Sequence, residues 1–117
     1  AMGLMQLMPS TAKELFHGPF IKASLLEPEI NISLGGLFIA KLLERWQRNP
    51  WLAISSYNAG SMRVELWFSD EIYTDPELWV ERIPYPETRF YTKKVLGSLW
   101  KYLRPKSTLC LNQAIQK

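Results

Sequence analysis

Residues 32–48, ISLGGLFIAKLLERWQR, carry the clearest pattern in the chain. Apolar residues recur at helical spacing on one side, and charged residues fill the other: Phe38, Ile39, Leu42, Leu43 and Trp46 against Lys41, Glu44, Arg45 and Arg48. This pattern predicts an amphipathic helix that buries one face, with Asn31 as its N-cap. Gly35 and Gly36 each cost about 1 kcal/mol relative to alanine in a helix, so we expect another backbone to pass close by.

The next stretch, NPWLAISSYNAG at 49–60, predicts a short buried helix over residues 50–58. Asn49 can cap it, Pro50 suits its first position, and Gly60 suits the residue just past its end. Ser61 can then cap a further short helix that runs to Trp67.

Two more helices follow towards the C-terminus. In DPELWVERIP, Asp75 is the expected cap and Pro84 follows the end. A last long helix is predicted over residues 86–103, with Val95, Leu96, Leu99 and Leu103 on its inner face. Pro105 should help to end this helix, which leaves residues 105–117 as a loosely ordered tail. No stretch alternates with period two, so the fold class is all-α.

Composition limits the function without identifying it. The 117 residues are 47% apolar and 21% charged, which suits one globular domain or part of one. Five Trp and five Tyr residues suggest an aromatic-lined groove in addition to a core. The net charge of +3 comes from residues scattered along the chain. The densest basic cluster is typical of the solvent-exposed face of a helix and consists of Lys93, Lys94, Lys101 and Arg104. We therefore expect no nucleic-acid partner.

A lone cysteine and a lone histidine, Cys110 and His17, exclude an internal disulfide and a cysteine–histidine metal site. We expect no metal and no cofactor. No apolar run reaches the roughly 20 residues of a membrane span, and no signal peptide is visible after Ala1.

Four motifs carry a resemblance to a known family. In order they are GLMQLMPSTA at 3–12, EPEINISLGG at 27–36, SSYNAG at 55–60 and IPYPETRFY at 83–91. Together they resemble the catalytic domain of the soluble lytic transglycosylases, lysozyme-like enzymes that cut bacterial peptidoglycan. The resemblance covers residues 1–104 and implies a lysozyme-like helical domain, acting as a monomer on glycan strands in the periplasm or cell envelope.

The resemblance also implies a reaction. These enzymes cleave the β-1,4 bond between N-acetylmuramic acid and N-acetylglucosamine, and the muramic C6 hydroxyl attacks its own anomeric carbon to leave a 1,6-anhydro end. Ordinary glycosidases need two carboxylates. Here a single glutamate can protonate the leaving oxygen and later accept the C6 hydroxyl proton, provided that burial raises its pKa.

The resemblance places that glutamate in a Glu-Ser motif on a helix upstream of Ala1. We therefore expect the chain to be a truncated catalytic domain, without the helix that carries the acid and inactive alone. Glu14 lies on what should be an exposed turn and is no substitute.

The substrate-binding positions that the resemblance implies are Gly3, Gln6, Met8, Ser56, Tyr57, Asn58, Glu87 and Tyr91. Gln6 would bind sugar hydroxyls and N-acetyl groups beside an apolar wall from Met8. Tyr57 would bind substrate or stabilise positive charge at the anomeric carbon, and Glu87 would help to position substrate.

The residues alone allow plainer interpretations. Gln6 could cap a helix or face solvent while Leu4, Met5 and Leu7 pack inward, and Tyr57 could be a half-buried core residue. Glu87 could serve only the helix dipole. The chain also departs from the family in Ser61–Met62, where a Pro-Gly or similar small pair is usual, and in Phe38, where a tyrosine is usual.

Three other functions stay open. A non-catalytic glycan-binding module would keep the sugar contacts without an upstream acid. A goose-type lysozyme-like hydrolase would release reducing ends, one water heavier than anhydro ends. A basic helical nucleic-acid binder would lose affinity steeply with salt.

Overall fold

A computed structural model of the chain describes residues 2–3, 5–16 and 22–116, with side chains described up to residue 101. Its helices are α1 (Pro9–Leu15), a 3₁₀ helix (Lys22–Leu26), α2 (Pro28–Arg45), α3 (Pro50–Ala59), α4 (Ser61–Trp67), α5 (Glu71–Thr74), α6 (Pro76–Glu81) and α7 (Pro86–Gln116). Within these residues the only extended pairing is a single antiparallel bridge between Met2 and Leu7. The predicted all-α class is confirmed.

The predicted amphipathic helix is α2, and it begins earlier than expected. Pro28 occupies its first turn after Glu27, so the prediction that Asn31 caps the helix is wrong. Asn31 lies inside the first turns and is fully buried. The apolar face is confirmed, because Leu42 is buried, the other four apolar residues of the pattern are half-buried, and all four charged residues are exposed.

The helix boundaries in the middle of the chain follow their capping residues. The Asn49 Oδ1 accepts a hydrogen bond from the Leu52 amide at 3.2 Å, and the Asp75 Oδ1 accepts one from the Leu78 amide at 3.1 Å. Both predicted caps are confirmed. Ser61 is not a cap, because Gly60 precedes α4 as its N-cap residue with a φ of +91°. Five consecutive residues of α3 are buried: Leu52, Ala53, Ile54, Ser55 and Ser56.

The last helix is longer than predicted. The backbone of α7 stays helical through Pro105 as far as Gln116, so its predicted end near Leu103 is wrong, whereas the predicted loose order of residues 105–117 stays a prediction. The fixed φ of proline is compatible with a helix although one hydrogen bond is lost, and the residues that follow include good helix formers. Leu99 is 42% exposed, so its assignment to the inner face is also wrong.

The predictions for Leu4, His17, Leu103, Arg104 and Cys110 concern side chains outside the described ones. The sequence patterns also missed α1, the 3₁₀ helix and α5. These segments have seven residues or fewer, too short to show a helical period.

The chain divides into two compact units, Ala1–Ala53 and Ile54–Lys117. In the first unit, α1 and the 3₁₀ helix pack against α2, and the buried residues are Leu7, Ala12, Leu15, Leu25, Asn31, Leu34, Gly35, Leu42, Leu52 and Ala53. In the second unit, α6 packs against α5 and α7, and the largest buried side chain is Trp79, whose Nε1 donates to the Trp67 carbonyl at 2.9 Å.

Among the described helices, none has the length and apolar character that crossing a membrane requires.

Candidate functional site

The predicted site residues fall into the two units, with Gly3, Gln6 and Met8 in the first and the others in the second. In the first unit, the chain from Met2 to Leu7 turns back on itself. The Met2 amide donates to the Leu7 carbonyl at 2.8 Å, and the Leu7 amide donates to the Met2 carbonyl at 3.0 Å. We call residues 2–7 the Gln6 loop.

Gln6 itself adopts an unusual backbone conformation. Its φ is +50°, in the left-handed region that non-glycine residues seldom occupy. Its backbone amide and its side-chain Nε2 both donate to the Gly3 carbonyl, at 3.2 Å and 2.7 Å. Such conformations persist only where the surroundings impose them, and they concentrate at functional sites. The side chain is exposed, so it is accessible to a ligand.

Asn31 on α2 holds the Gln6 loop through three side-chain hydrogen bonds, two of them to the loop itself. Its Oδ1 accepts a hydrogen bond from the Met5 amide at 2.6 Å. Its Nδ2 donates to the Met2 carbonyl at 2.7 Å and to the Leu25 carbonyl at 3.0 Å. These bonds use both donors of the amide, so the fully buried side chain is well satisfied.

Two glycines allow the loop to lie this close. A Cβ atom on Gly3, whose φ is +72°, would come within 2.3 Å of the Asn31 Nδ2 and 2.6 Å of the Leu25 carbonyl oxygen. A Cβ atom on Gly35 would come within 2.6 Å of the Met5 side chain, whereas one on Gly36 would meet nothing within 4 Å. At Gly35 the close neighbour is the Met5 side chain and not the predicted backbone, and at Gly36 the predicted close approach is wrong.

Met8 follows the loop as the residue that precedes α1, and its side chain is 53% exposed. Its carbonyl accepts the Ala12 amide at 3.0 Å, which starts the helix. An exposed thioether two residues after Gln6 is compatible with the apolar wall that the resemblance implies.

In the second unit, Tyr57 on α3 and Tyr91 on α7 are both half-buried. Burial, with a smaller contribution from the charge of Tyr91, raises the pKa of Tyr57 from its ordinary 10.0 to about 12. Burial also raises the pKa of Tyr91. Both phenols therefore stay neutral at physiological pH, and the charge of one acts on the other.

Two hydrogen bonds join α3 to α7 close to Tyr57 and Tyr91 in sequence, one of them buried and the other part-buried. The Thr88 hydroxyl donates to the Asn58 Oδ1 at 2.7 Å, and the Ser55 and Thr92 hydroxyls lie 3.0 Å apart. Thr88 is 1% exposed, and Ser55 and Thr92 are fully buried. We call these four residues the hydroxyl ladder. It fixes the helix that carries Tyr57 against the helix that carries Tyr91.

Sequence reasoning found Asn58 but missed the other three members of the ladder. A signal was present, because Thr88 and Thr92 are four residues apart and fall on the same face as Val95 and Leu96. Hydroxyl residues on an otherwise apolar helix face need buried partners.

Of the remaining predicted site residues, Glu87 is exposed and Ser56 is buried. Glu87 is exposed in the first turn of α7, where the helix dipole favours a carboxylate. Its neighbour Arg89 reaches a different element, with its Nη1 3.5 Å from the Glu81 carbonyl. Ser56 is only 1% exposed, so its assignment as a substrate contact stays a prediction.

The carboxylates do not provide a buried general acid. Of the eleven Asp and Glu residues, all of them described, ten are exposed and only Glu71 is half-buried. The Arg82 guanidinium lies 3.4 Å from the Glu71 carboxylate. Among the described residues, no three His, Cys, Asp or Glu side chains are grouped as a metal site requires.

Comparison with known proteins places these features in a family. The profile of the Transglycosylase SLT domain family matches residues 1–79. Over 103 residues the chain is 39% identical to the soluble lytic murein transglycosylase of Salmonella typhimurium and 37% identical to that of Escherichia coli K12, covering 83% of this chain and 16% of each relative. The chain thus spans about a sixth of the length of these relatives.

A solved structure agrees with this assignment. The X-ray structure of an inactive glutamate-to-glutamine mutant of the lytic transglycosylase Slt from Pseudomonas aeruginosa is 38% identical and superposes with a TM-score of 0.78. The likeness covers 88% of this chain and 17% of that one. The predicted lysozyme-like helical fold and the predicted family are confirmed, and the chain belongs to the Transglycosylase SLT domain family.

Proposed function

We propose that residues 1–104 form part of the catalytic domain of a peptidoglycan lytic transglycosylase. It would cleave the β-1,4 bond between N-acetylmuramic acid and N-acetylglucosamine and leave a 1,6-anhydromuramic end. Support comes from the family match and from the names of the relatives. The relatives are bacterial enzymes of the cell wall, so we propose that the protein acts in the periplasm or envelope.

The observation that carries this proposal is the neutral, half-buried phenol of Tyr57. With a pKa of about 12, Tyr57 keeps its proton across the physiological range and can donate a hydrogen bond to a sugar or glycosidic oxygen. The hydroxyl ladder fixes α3, which carries this phenol, against α7. A fixed donor placed where charge develops is an effective way to stabilise a transition state.

We propose further that the general acid is not one of these 117 residues. A glutamic acid that protonates a leaving oxygen near neutral pH needs a buried, apolar setting to raise its pKa. None of the exposed carboxylates has such a setting, and Glu71 is beside Arg82. Glu87 would serve as a supporting group, with Gly3, Gln6, Met8, Ser56, Asn58 and Tyr91 as the other substrate-binding positions.

The test compares two proteins on purified peptidoglycan sacculi. The 117-residue chain alone should release no anhydro-muropeptides above background. The chain extended upstream of Ala1 with its natural coding sequence should release them, and mass spectrometry identifies the anhydro end. Tyr57→Phe in the extended protein should lower kcat by about ten-fold to a hundred-fold, because one transition-state hydrogen bond is lost.

Each contrary result points to a different function. Turnover by the 117-residue chain alone would overturn the assignment of the acid. Products one water heavier would indicate a hydrolase. Glycan binding without any turnover, in both proteins, would favour the non-catalytic binding module, which the exposed carboxylates make the second candidate.

A further inference from the structure

We infer that one face of α2, made by Asn31 and Gly35, is the positioning element that holds Gln6 for contact with substrate. We call these two residues the loop seat. The inference rests on the proposed role of Gln6 in glycan binding, and it assigns a role in function to two residues outside the predicted binding set.

Asn31 makes hydrogen bonds to the turn that carries Gln6 at two points. The turn lies between Met2 and Leu7, and Asn31 bonds the Met2 carbonyl near its start and the Met5 amide just before Gln6. A third bond to the Leu25 carbonyl anchors the same amide to the 3₁₀ helix. Because the amide group is planar and both of its donors are engaged, it can neither rotate nor shift without breaking a bond.

Gly35 supplies the second contact of the seat. It lies four residues after Asn31 and therefore on the same face of α2. The missing side chain leaves the space that Met5 fills, with 2.6 Å between the Met5 Cβ and a Cβ placed on Gly35. Met5 directly precedes Gln6 in the chain. How closely Met5 packs against Gly35 therefore sets the distance of the Gln6 backbone from α2.

The strained backbone of Gln6 needs such a support. A glutamine with a φ of +50° relaxes to negative φ unless neighbouring contacts prevent it. Two of its bonds, from the amide and from Nε2, go to the Gly3 carbonyl within the loop itself. The Asn31 side chain connects the loop to α2 through its bonds to the Met5 amide and the Met2 carbonyl.

The test is a pair of matched glycine substitutions in α2. Gly35→Ala and Gly36→Ala both raise helix propensity by the same amount, so neither should unfold the helix. Only Gly35→Ala places a methyl group against Met5, because a Cβ on Gly36 meets nothing within 4 Å. A difference between the two variants therefore reports the contact of the new methyl group with Met5, and not a difference in helix propensity.

Two measurements are made on the full 117-residue chain. One is the Kd for a tetrasaccharide of alternating N-acetylglucosamine and N-acetylmuramic acid. The other is the NMR chemical shift and exchange rate of the Gln6 side-chain amide. We expect Gly35→Ala to weaken binding at least ten-fold and to shift the Gln6 amide signal, and Gly36→Ala to change Kd by less than two-fold and leave the signal in place.

Asn31→Asp gives a second, independent reading. The carboxylate keeps an acceptor for the Met5 amide but loses both donors, so the bonds to Met2 and Leu25 disappear. It should reproduce the effect of Gly35→Ala in samples that circular dichroism shows to be folded. Leu34→Ala, a 4% exposed apolar residue of the same helix, is the control for lost stability and should lower Tm with Kd unchanged within two-fold.

The outcomes separate this inference from the proposed function. An unchanged Kd and an unchanged Gln6 signal in Gly35→Ala would overturn the inference, as would an equal loss of binding in Leu34→Ala. If the native chain does not bind the tetrasaccharide, the proposed role of Gln6 in glycan binding fails for this chain. The Gln6 amide signal then decides the positioning claim, which an unshifted signal in Gly35→Ala overturns.

Discussion

Tyr57 illustrates how burial changes the proton affinity of a side chain. The phenol is half-buried on α3, and desolvation is the larger cause of its raised pKa, with the charge of Tyr91 second. The motif in the sequence locates the tyrosine, but the pairing of two phenols 34 positions apart in the chain could not be predicted. It depends on how α3 and α7 pack, which the local sequence around either tyrosine does not specify.

Tyr91→Phe should lower the pKa of Tyr57 below about 12 and leave most of the shift in place, because burial is the larger cause. Ultraviolet difference titration of the chain against Tyr91→Phe and Tyr57→Phe would follow each phenol. A return of the Tyr57 midpoint to 10.0 in Tyr91→Phe would show that charge and not burial dominates.

The same shift makes stability depend on alkaline pH. Tyr57 has a higher pKa in the folded chain than the ordinary 10.0, so its contribution is fully present below pH 10.0 and is lost as pH rises through about 12. Urea unfolding at a series of pH values should therefore show a steeper alkaline loss in the native chain than in Tyr57→Phe. Parallel curves for the two proteins would contradict this.

Helices α3 and α7 show which features of an element are encoded locally. The sequence predicts both of their starts, because Asn49 and the prolines at positions 50 and 86 act on neighbouring residues. It does not predict the partners of their buried polar groups. Asn31 on α2 is the same case, since the atoms that it bonds in Met2 and Met5 are 29 and 26 residues away.

Thr88→Val should destabilise the chain by about 1–3 kcal/mol, because it leaves the Asn58 Oδ1 without its donor in a part-buried position. Thr88→Ser keeps the hydroxyl and should lose much less. Thr74→Val is the matched exposed control and should change the free energy of unfolding by no more than about 0.5 kcal/mol. Equal losses in Thr88→Val and Thr88→Ser would assign the effect to packing instead.

At the scale of the whole molecule, the composition and helical periods predict the all-α class, and the four motifs predict the family. The division into two compact units at Ala53 and Ile54 was not predictable, because it falls inside α3, where the sequence shows no break. The helix end predicted from a proline was also wrong. Pro105 was expected to end α7, yet the helix continues for eleven more residues, to Gln116.

The net charge of +3 leads to a prediction about partners. Binding of the chain to peptidoglycan sacculi should change by less than about three-fold between 50 and 200 mM salt, because uncharged sugar contacts release few counterions. Duplex DNA at the same salt concentrations is the control, and any binding to it should be weak and fall steeply. Sacculus binding that falls as steeply as DNA binding would indicate that charge, and not sugar recognition, drives it.

The buried position of Asn31 has a consequence for protein synthesis. The ribosome makes the Gln6 loop before it makes α2, yet the bonds that hold the loop come from Asn31, 26 to 29 residues later in the chain. A nascent chain that ends before Asn31 cannot form those bonds, however long it waits. The segment that we propose to contact the glycan therefore has only its own internal bonds and lacks the support of Asn31 until α2 has been synthesised.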